Sequence, residues 1–151
     1  NATMRALGTG KIIWGVRAGA SWGVTFVANE LIQVDEYTAI AEYSFVTDTS
    51  YDLAGNTDSY LAAKKIVKPV RIGKNVFIGS RCFIGPGVTI GDGAVIANNT
   101  MITRDVGPLE IWMGVPARCI GHRTENVPAS TMKRLEELVA QQGIQGDRYK
   151  D

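Results

Sequence analysis

The stretch from Ile66 to Gly107 reads IVKPVR IGKNVF IGSRCF IGPGVT IGDGAV IANNTM ITRDVG, and isoleucine opens every hexad. Ile66, Ile72, Ile78, Ile84, Ile90, Ile96 and Ile102 recur at a spacing of six. The fifth position holds Val70, Val76, Cys82, Val88, Ala94, Thr100 and Val106, small or β-branched throughout. Self-similarity at a short fixed period marks a stacked solenoid, and a hexad marks a parallel β-helix. A helix does not fit, because six is not a multiple of 3.6. Gly73, Gly79, Gly85 and Gly91, at the second position, would also cost a helix about 1 kcal/mol each relative to Ala. An antiparallel sheet would carry turn signals every 8–12 residues instead.

The same frame runs backwards through Val16, Trp22, Ala28, Val34, Ile40 and Val46, with Ala20, Phe26, Ile32, Thr38, Ser44 and Ser50 at the fifth position. Removing residues 52–65 would place Ile66 directly after the hexad that starts at Val46. That segment holds Gly55, Asn56, Asp58 and Ser59, which is loop chemistry, and it predicts an extruded loop of the kind that carries function on a rigid scaffold. Three hexads per coil give a little over four coils across residues 16–107. The inward row from Ile66 to Ile102 is expected to stack about 4.8 Å apart, since one coil alone cannot bury it. Residues 1–15 add a partial coil or a cap. Residues 108–127 read as a connecting turn segment. A short C-terminal α-helix is predicted over 128–143, with Met132, Leu135, Leu138 and Val139 on one face and Gly143 ending it. The 151 residues make a single domain.

Composition narrows the function classes. A net charge of +1 supplies no field for nucleic acid or an anionic membrane. Apolar residues at 45% and charged ones at 21% belong to a globular chain. No apolar run approaches the ~20 residues of a membrane span, and no secretory leader pattern is read, so a cytoplasmic location is expected. Two cysteines, Cys82 and Cys119, are too few and too distant for a disulfide framework or a zinc site, and no metal is expected. Cys82, at an inward position, should be inert. Lys64, Lys65 and Lys68 read as a solvated face. Trp14, Trp22 and Trp112 read as packing or subunit-contact residues.

The run from Pro69 to Asp105, followed by GVPARCIG at Gly114–Gly121, resembles the hexapeptide-repeat acyltransferases, the left-handed parallel β-helix family that includes the maltose, galactoside and polysaccharide O-acetyltransferases. The resemblance covers roughly Val34 to Arg123. It implies the left hand, which parallel crossovers otherwise avoid in about 98% of cases. It also implies a homotrimer, with acetyl-coenzyme A as the acyl donor in a cleft between subunits and a small-molecule acceptor. Trp22, Phe26, Tyr37 and Tyr43 are the side chains expected at or near the subunit interface. Carried over residue by residue, Ala97 and Asn98 match the coil that lines the pantetheine channel. Thr103 and Arg104 match the pair near the phosphates. Gly114, Val115, Pro116, Ala117 and Arg118 match the turn at the adenine end. Glycine at the second hexad position is equally what a tight coil corner requires.

The family's base is a histidine at the start of the extruded loop, and here that position falls on Thr49 or Ser50. Neither hydroxyl is a base at neutral pH. Asp48, Ser50 and Asp52 are therefore the catalytic candidates, a carboxylate serving if burial raises its pKa toward 7. The single histidine, His122, lies about three coils away, ~15 Å along the axis, and reads as a surface residue. The γ-class carbonic anhydrases share the fold but need three histidines for their metal. Three readings stand: a coenzyme A-dependent O- or N-acetyltransferase with a replaced base and weakened or altered catalysis on a sugar-like or small hydroxyl or amine acceptor; a non-catalytic trimeric binding or scaffold protein; and a structural trimer without ligand.

Overall fold

The computed structural model describes residues 1–54 and 59–123. The expected helix over 128–143 and the loop tip at 55–58 lie outside the described residues. The chain winds as a parallel β-solenoid, the left-handed β-helix of hexapeptide repeats. Its strands are β1 Thr3–Ala6, β2 Lys11–Trp14, β3 Gly19–Ala20, β4 Thr25–Ala28, β5 Leu31–Val34 and β6 Ala39–Ile40. Then follow β7 Phe45–Thr47, β8 Thr49–Asp52, β9 Lys64–Val67, β10 Val70–Ile72, β11 Phe77–Ile78 and β12 Phe83–Ile84. The last are β13 Thr89–Ile90, β14 Val95–Ile96, β15 Met101–Ile102, β16 Glu110–Met113 and β17 Arg118–His122.

Three faces close the coil. The first stacks β1-β4-β7-β12-β15, the second β2-β5-β10-β13 and the third β3-β6-β11-β14-β16-β17. The first face has five rungs, residues 1–15 adding their own rung to the little over four coils expected across residues 16–107. Inward rows run Phe26, Val46, Ile84, Ile102 on the first face and Val34, Ile72, Ile90 on the second. The third row runs Ile40, Ile78, Ile96, Trp112. All of these side chains are buried, and each full burial of an isoleucine stabilises by about 1.5–3 kcal/mol.

Coil length is not constant. Thr3 pairs with Thr25, 22 residues on, Thr25 with Phe45 after 20, Phe83 with Met101 after 18, and Val95 with Ile111 after 16. The regular frame therefore holds from Val34 to Ile102, the arm aside, and fails before and after it. Trp14 and Ala20 stack on Val34 and Ile40, whereas Val16 and Trp22 are exposed. The extra residues sit at the corner between β4 and β5, where Ala28 adds a third inward side chain after Val24 and Phe26.

Ile66 leaves the stack as well. It pairs with Ser50 in the antiparallel β8–β9 stem, so the excursion covers 49–67 rather than 52–65 and the inward row starts at Ile72. Phe26 is fully buried and packs edge-on to Trp14, which removes it from any subunit contact. Residues 110–122, expected as a connecting turn, instead form an antiparallel hairpin that extends the third face.

The second-position glycines serve contact rather than φ. A Cβ on Gly79 would stand 2.4 Å from Asn98 Oδ1 and 2.7 Å from its backbone nitrogen in the next coil. Positive φ belongs to the fourth hexad position: Asn75, Arg81, Gly87, Gly93 and Asn99. Polar residues at the inward fifth position are satisfied between coils. Ser44 Oγ donates to Gly79 O (2.9 Å) and accepts from Cys82 N–H (3.1 Å), and Thr38 does the same with Gly73 O and Val76 N–H.

Candidate functional site

The GVPA turn connects β16 to β17. Gly114, at φ 100° and thus in a region L side chains rarely adopt, donates its N–H to Thr100 Oγ1 at 3.2 Å. The Met101 N–H donates to Gly114 O at 3.3 Å. These bonds dock the turn beside β15 and the corner that follows it. The result is an open groove of about 240 Å³ lined by Met101, Thr103, Arg104, Val115, Pro116 and Ala117. Five of those six residues were expected at a ligand from the sequence. Met101 was not, although the sixth hexad position points outward and could have flagged it. Arg118 follows the Ala117 wall, its Nη1 donating to Ala117 O at 2.9 Å while the side chain stays exposed.

Ala97 and Asn98 do not line this groove. The Ala97 N–H donates to Trp112 O, and Ala97 O accepts from the Cys82 thiol. Asn98 Oδ1 accepts the Ser80 N–H at 2.9 Å, tying one corner to the corner below. Their geometry is that of coil stacking.

At the base of the arm, β8 and β9 pair from Thr49↔Val67 to Asp52↔Lys64, and the Lys68 N–H donates to Asp48 O to close the stem. Asp48 is 0% exposed. Its Oδ2 accepts the backbone N–H groups of Glu30 (2.7 Å), Leu31 (2.9 Å) and Asn29 (3.0 Å). Its Oδ1 accepts the Asn29 N–H (2.9 Å) and the Thr49 hydroxyl (2.7 Å). Thr49 Oγ1 in turn accepts from Asn29 Nδ2, and Asn29 Oδ1 accepts from Lys65 Nζ. This carboxylate clamps the β4–β5 corner to the arm, with both oxygens occupied. Burial, the condition set for a carboxylate base, is met here only together with complete hydrogen bonding. Ser50 is half-buried opposite Ile66, and Asp52 is exposed with Oδ1 near the Ala54 N–H. These two remain accessible.

Two further groups have shifted acidity. Burial pushes the Cys82 thiol up from its ordinary value of 9.0, and the residue is 2% exposed, as its inward position implies. The Trp112 indole and the Gly107 N–H, both donating to Glu110 Oε2, lower the Glu110 carboxyl, with His122 adding a smaller effect. His122 Nε2 stands 3.9 Å from Glu110 Oε1 and its side chain is 65% exposed.

Fold and groove together define a hexapeptide-repeat β-solenoid with an open groove at its C-terminal coils. Residues 69–104 match the family model described as the hexapeptide repeat of succinyl-transferase. No curated protein matches the chain. Among solved structures, a hexapeptide-repeat-containing acetyltransferase of Vibrio cholerae is 26% identical, with a TM-score of 0.68 over 76% of this chain and 64% of that one. A galactoside acetyltransferase in complex with coenzyme A is 24% identical (TM-score 0.63, 82% and 65% covered). The N-acyltransferase AntD of Bacillus cereus, in complex with dTDP and coenzyme A, is 21% identical (TM-score 0.75, 93% and 75% covered). The last two likenesses concern the fold. The chain spans under two thirds of the length of the first two of these proteins.

Proposed function

We propose that this chain binds a coenzyme A thioester in the groove formed by Met101, Thr103, Arg104, Val115, Pro116 and Ala117, and transfers the acyl group to an amino acceptor on a small, sugar-like molecule. The observation that carries this reading is the groove, where the GVPA turn and the Thr103–Arg104 corner meet. Its apolar wall suits the pantetheine arm. Arg104 and Arg118 supply cations for phosphates, a role that guanidinium geometry favours. Similarity to solved structures crystallised with coenzyme A supports the same donor.

An amine is favoured over a hydroxyl because of what the arm lacks. A hydroxyl must lose its proton as it attacks, a step for which a general base is worth about 10²–10⁴ in rate. A neutral amine attacks the thioester carbon with its own lone pair. The carbon–sulfur bond then breaks, the coenzyme A thiol leaves, and the amine's proton is lost after the new carbon–nitrogen bond has formed. That order tolerates residues 48–52, where Asp48 is fully engaged and Ser50 and Asp52 are the groups left in reach.

The second reading, a binding protein without chemistry, is favoured by the same engaged Asp48. We further propose a homotrimer with the groove between subunits. Ligand pockets run to about 300–1,000 Å³, more than this open groove offers alone. The outward row Phe45, Phe83 and Met101 on the first face is stacked and partly exposed, and it leads to the groove through Met101. Trp22, Tyr37 and Tyr43 are also exposed and stay in the proposed contact set. The free thiols Cys82 and Cys119 suit a reducing cytoplasm. Among the described residues no helix is long and apolar enough to cross a membrane.

The test is coenzyme A release from acetyl-coenzyme A with paired amino and hydroxyl sugars. Turnover on the amino member alone is expected. Faster turnover on the hydroxyl member would overturn the amine reading, and tight binding without turnover on either would favour the binding protein.

A further inference from the structure

The β16–β17 hairpin is not a regular ladder. Glu110 pairs with His122 and Ile111 with Gly121, but Trp112 pairs with Cys119 and Met113 with Arg118. Ile120 is left unpaired as a β-bulge. In a regular strand, residues three apart point to opposite faces, and one extra residue reverses that phase. The bulge therefore turns Cys119 and His122 to one face of β17, which the ladder sets beside the face of β16 that holds Glu110 and Trp112. Trp112 is an inward residue of the last coil, stacked on Ile96. The shared face thus looks over the C-terminal mouth of the solenoid. There Glu110 carboxylate oxygen, Cys119 Sγ and His122 imidazole nitrogen all lie within 4.8 Å of one another.

We propose that Glu110, Cys119 and His122 form a binding site for a thiophilic divalent cation, zinc by preference. Thiolate, imidazole and carboxylate are the donor types zinc takes, at about 2.0–2.3 Å, which sets donor–donor separations of roughly 3.3–3.8 Å in a tetrahedron. The 3.9 Å between His122 Nε2 and Glu110 Oε1 is too long for a hydrogen bond and close to that spacing. The carboxylate is already aimed: Oε2 is held by the Gly107 N–H at 2.6 Å and the Trp112 indole at 2.8 Å, and Oε1 is the oxygen turned to His122. Outer hydrogen bonds of this kind orient metal ligands. Cys119 and His122 are three positions apart, with two residues between them, a spacing that lets one short segment supply two ligands, and both are exposed. Three protein donors leave one position for water. The cation would tie β17 to β16 at the last coil among the described residues.

The full chain, stripped with a chelator, is titrated with Co²⁺ and then Zn²⁺. One equivalent of Co²⁺ should produce thiolate-to-cobalt charge-transfer absorption, and one equivalent of Zn²⁺ should remove it. Cys119→Ser should abolish the band while Cys82→Ser leaves it unchanged. His122→Ala and Glu110→Gln should weaken Zn²⁺ binding at least ~10–100-fold, the loss that outer-shell changes alone produce. Trp112→Phe, which deletes the indole donor to Oε2, should fall in that same range. Zn²⁺ should raise the melting temperature of the parent and not of Cys119→Ser. A missing charge-transfer band, a band that survives Cys119→Ser, or Zn²⁺ affinity unchanged in His122→Ala would overturn the proposal.

Discussion

Replacing Asp48 with asparagine separates the two parts a loop carboxylate could play. The side chain keeps its shape, but the amide retains one acceptor oxygen and turns an NH₂ group toward donors. If the oxygen stays at the Oδ1 position, Asn29 and Thr49 keep a partner and the Glu30 and Leu31 N–H groups lose theirs. Each buried donor left unsatisfied costs about 1–3 kcal/mol, so the substitution should destabilise by about 2–6 kcal/mol. At ~2–4 °C per kcal/mol for a chain of this size, the melting temperature should fall by roughly 4–24 °C. The assay is thermal unfolding at one fixed protein concentration, since assembly would make the midpoint concentration-dependent. Asp52→Asn, at an exposed site with one long contact, should stay within about 0.5 kcal/mol of the parent. An Asp48→Asn protein that melts with the parent and yet loses all turnover would refute the clamp and restore Asp48 as a base.

A thiol reagent should titrate Cys119 alone in the native chain and reach Cys82 only after denaturation. Because the folded Cys82 pKa is raised, its contribution to stability is complete below the ordinary value of 9.0 and is lost as pH climbs beyond it toward the folded value, which denaturation at alkaline pH would register. Ile78→Ala, in the centre of the third inward row, should cost about 2–5 kcal/mol by chemical denaturation. Gly79→Ala should cost about 1–3 kcal/mol through its overlap with Asn98. Arg104→Ala should weaken coenzyme A binding by calorimetry through loss of a charge-assisted contact of about 1.5–3 kcal/mol, roughly 10–150-fold.

The solenoid was legible because the inward isoleucines from Ile72 to Ile96 meet the same constraint, a small buried site between two rungs, and a strict hexad repeats it on three faces in coils of equal length. Before Val34 that constraint is satisfied by longer coils, so Trp14 and Ala20 hold inward positions that a strict six assigns to Val16 and Trp22. Ile66 kept the spacing by coincidence, since a hairpin stem accepts a β-branched residue as readily as a solenoid rung does. The groove was half legible: the resemblance supplied Thr103, Arg104 and the GVPA turn, while the bonds by which Ala97 and Asn98 join coils appear only once the coils are stacked. The hydrogen bonds of Asp48 were not legible, because its partners Asn29, Glu30 and Leu31 come near only when one coil stacks on the next. The closeness of Cys119 to His122 and Glu110 was hidden for a similar reason, as the bulge at Ile120 depends on which residues of β16 it faces.

The most direct test of the central claim is a crystal structure of the chain with acetyl-coenzyme A. The account predicts the pantetheine arm between Met101 and the Val115–Ala117 turn, with phosphates at Arg104 or Arg118. Ligand density elsewhere on the solenoid, or a groove without ligand at millimolar acetyl-coenzyme A, would contradict it.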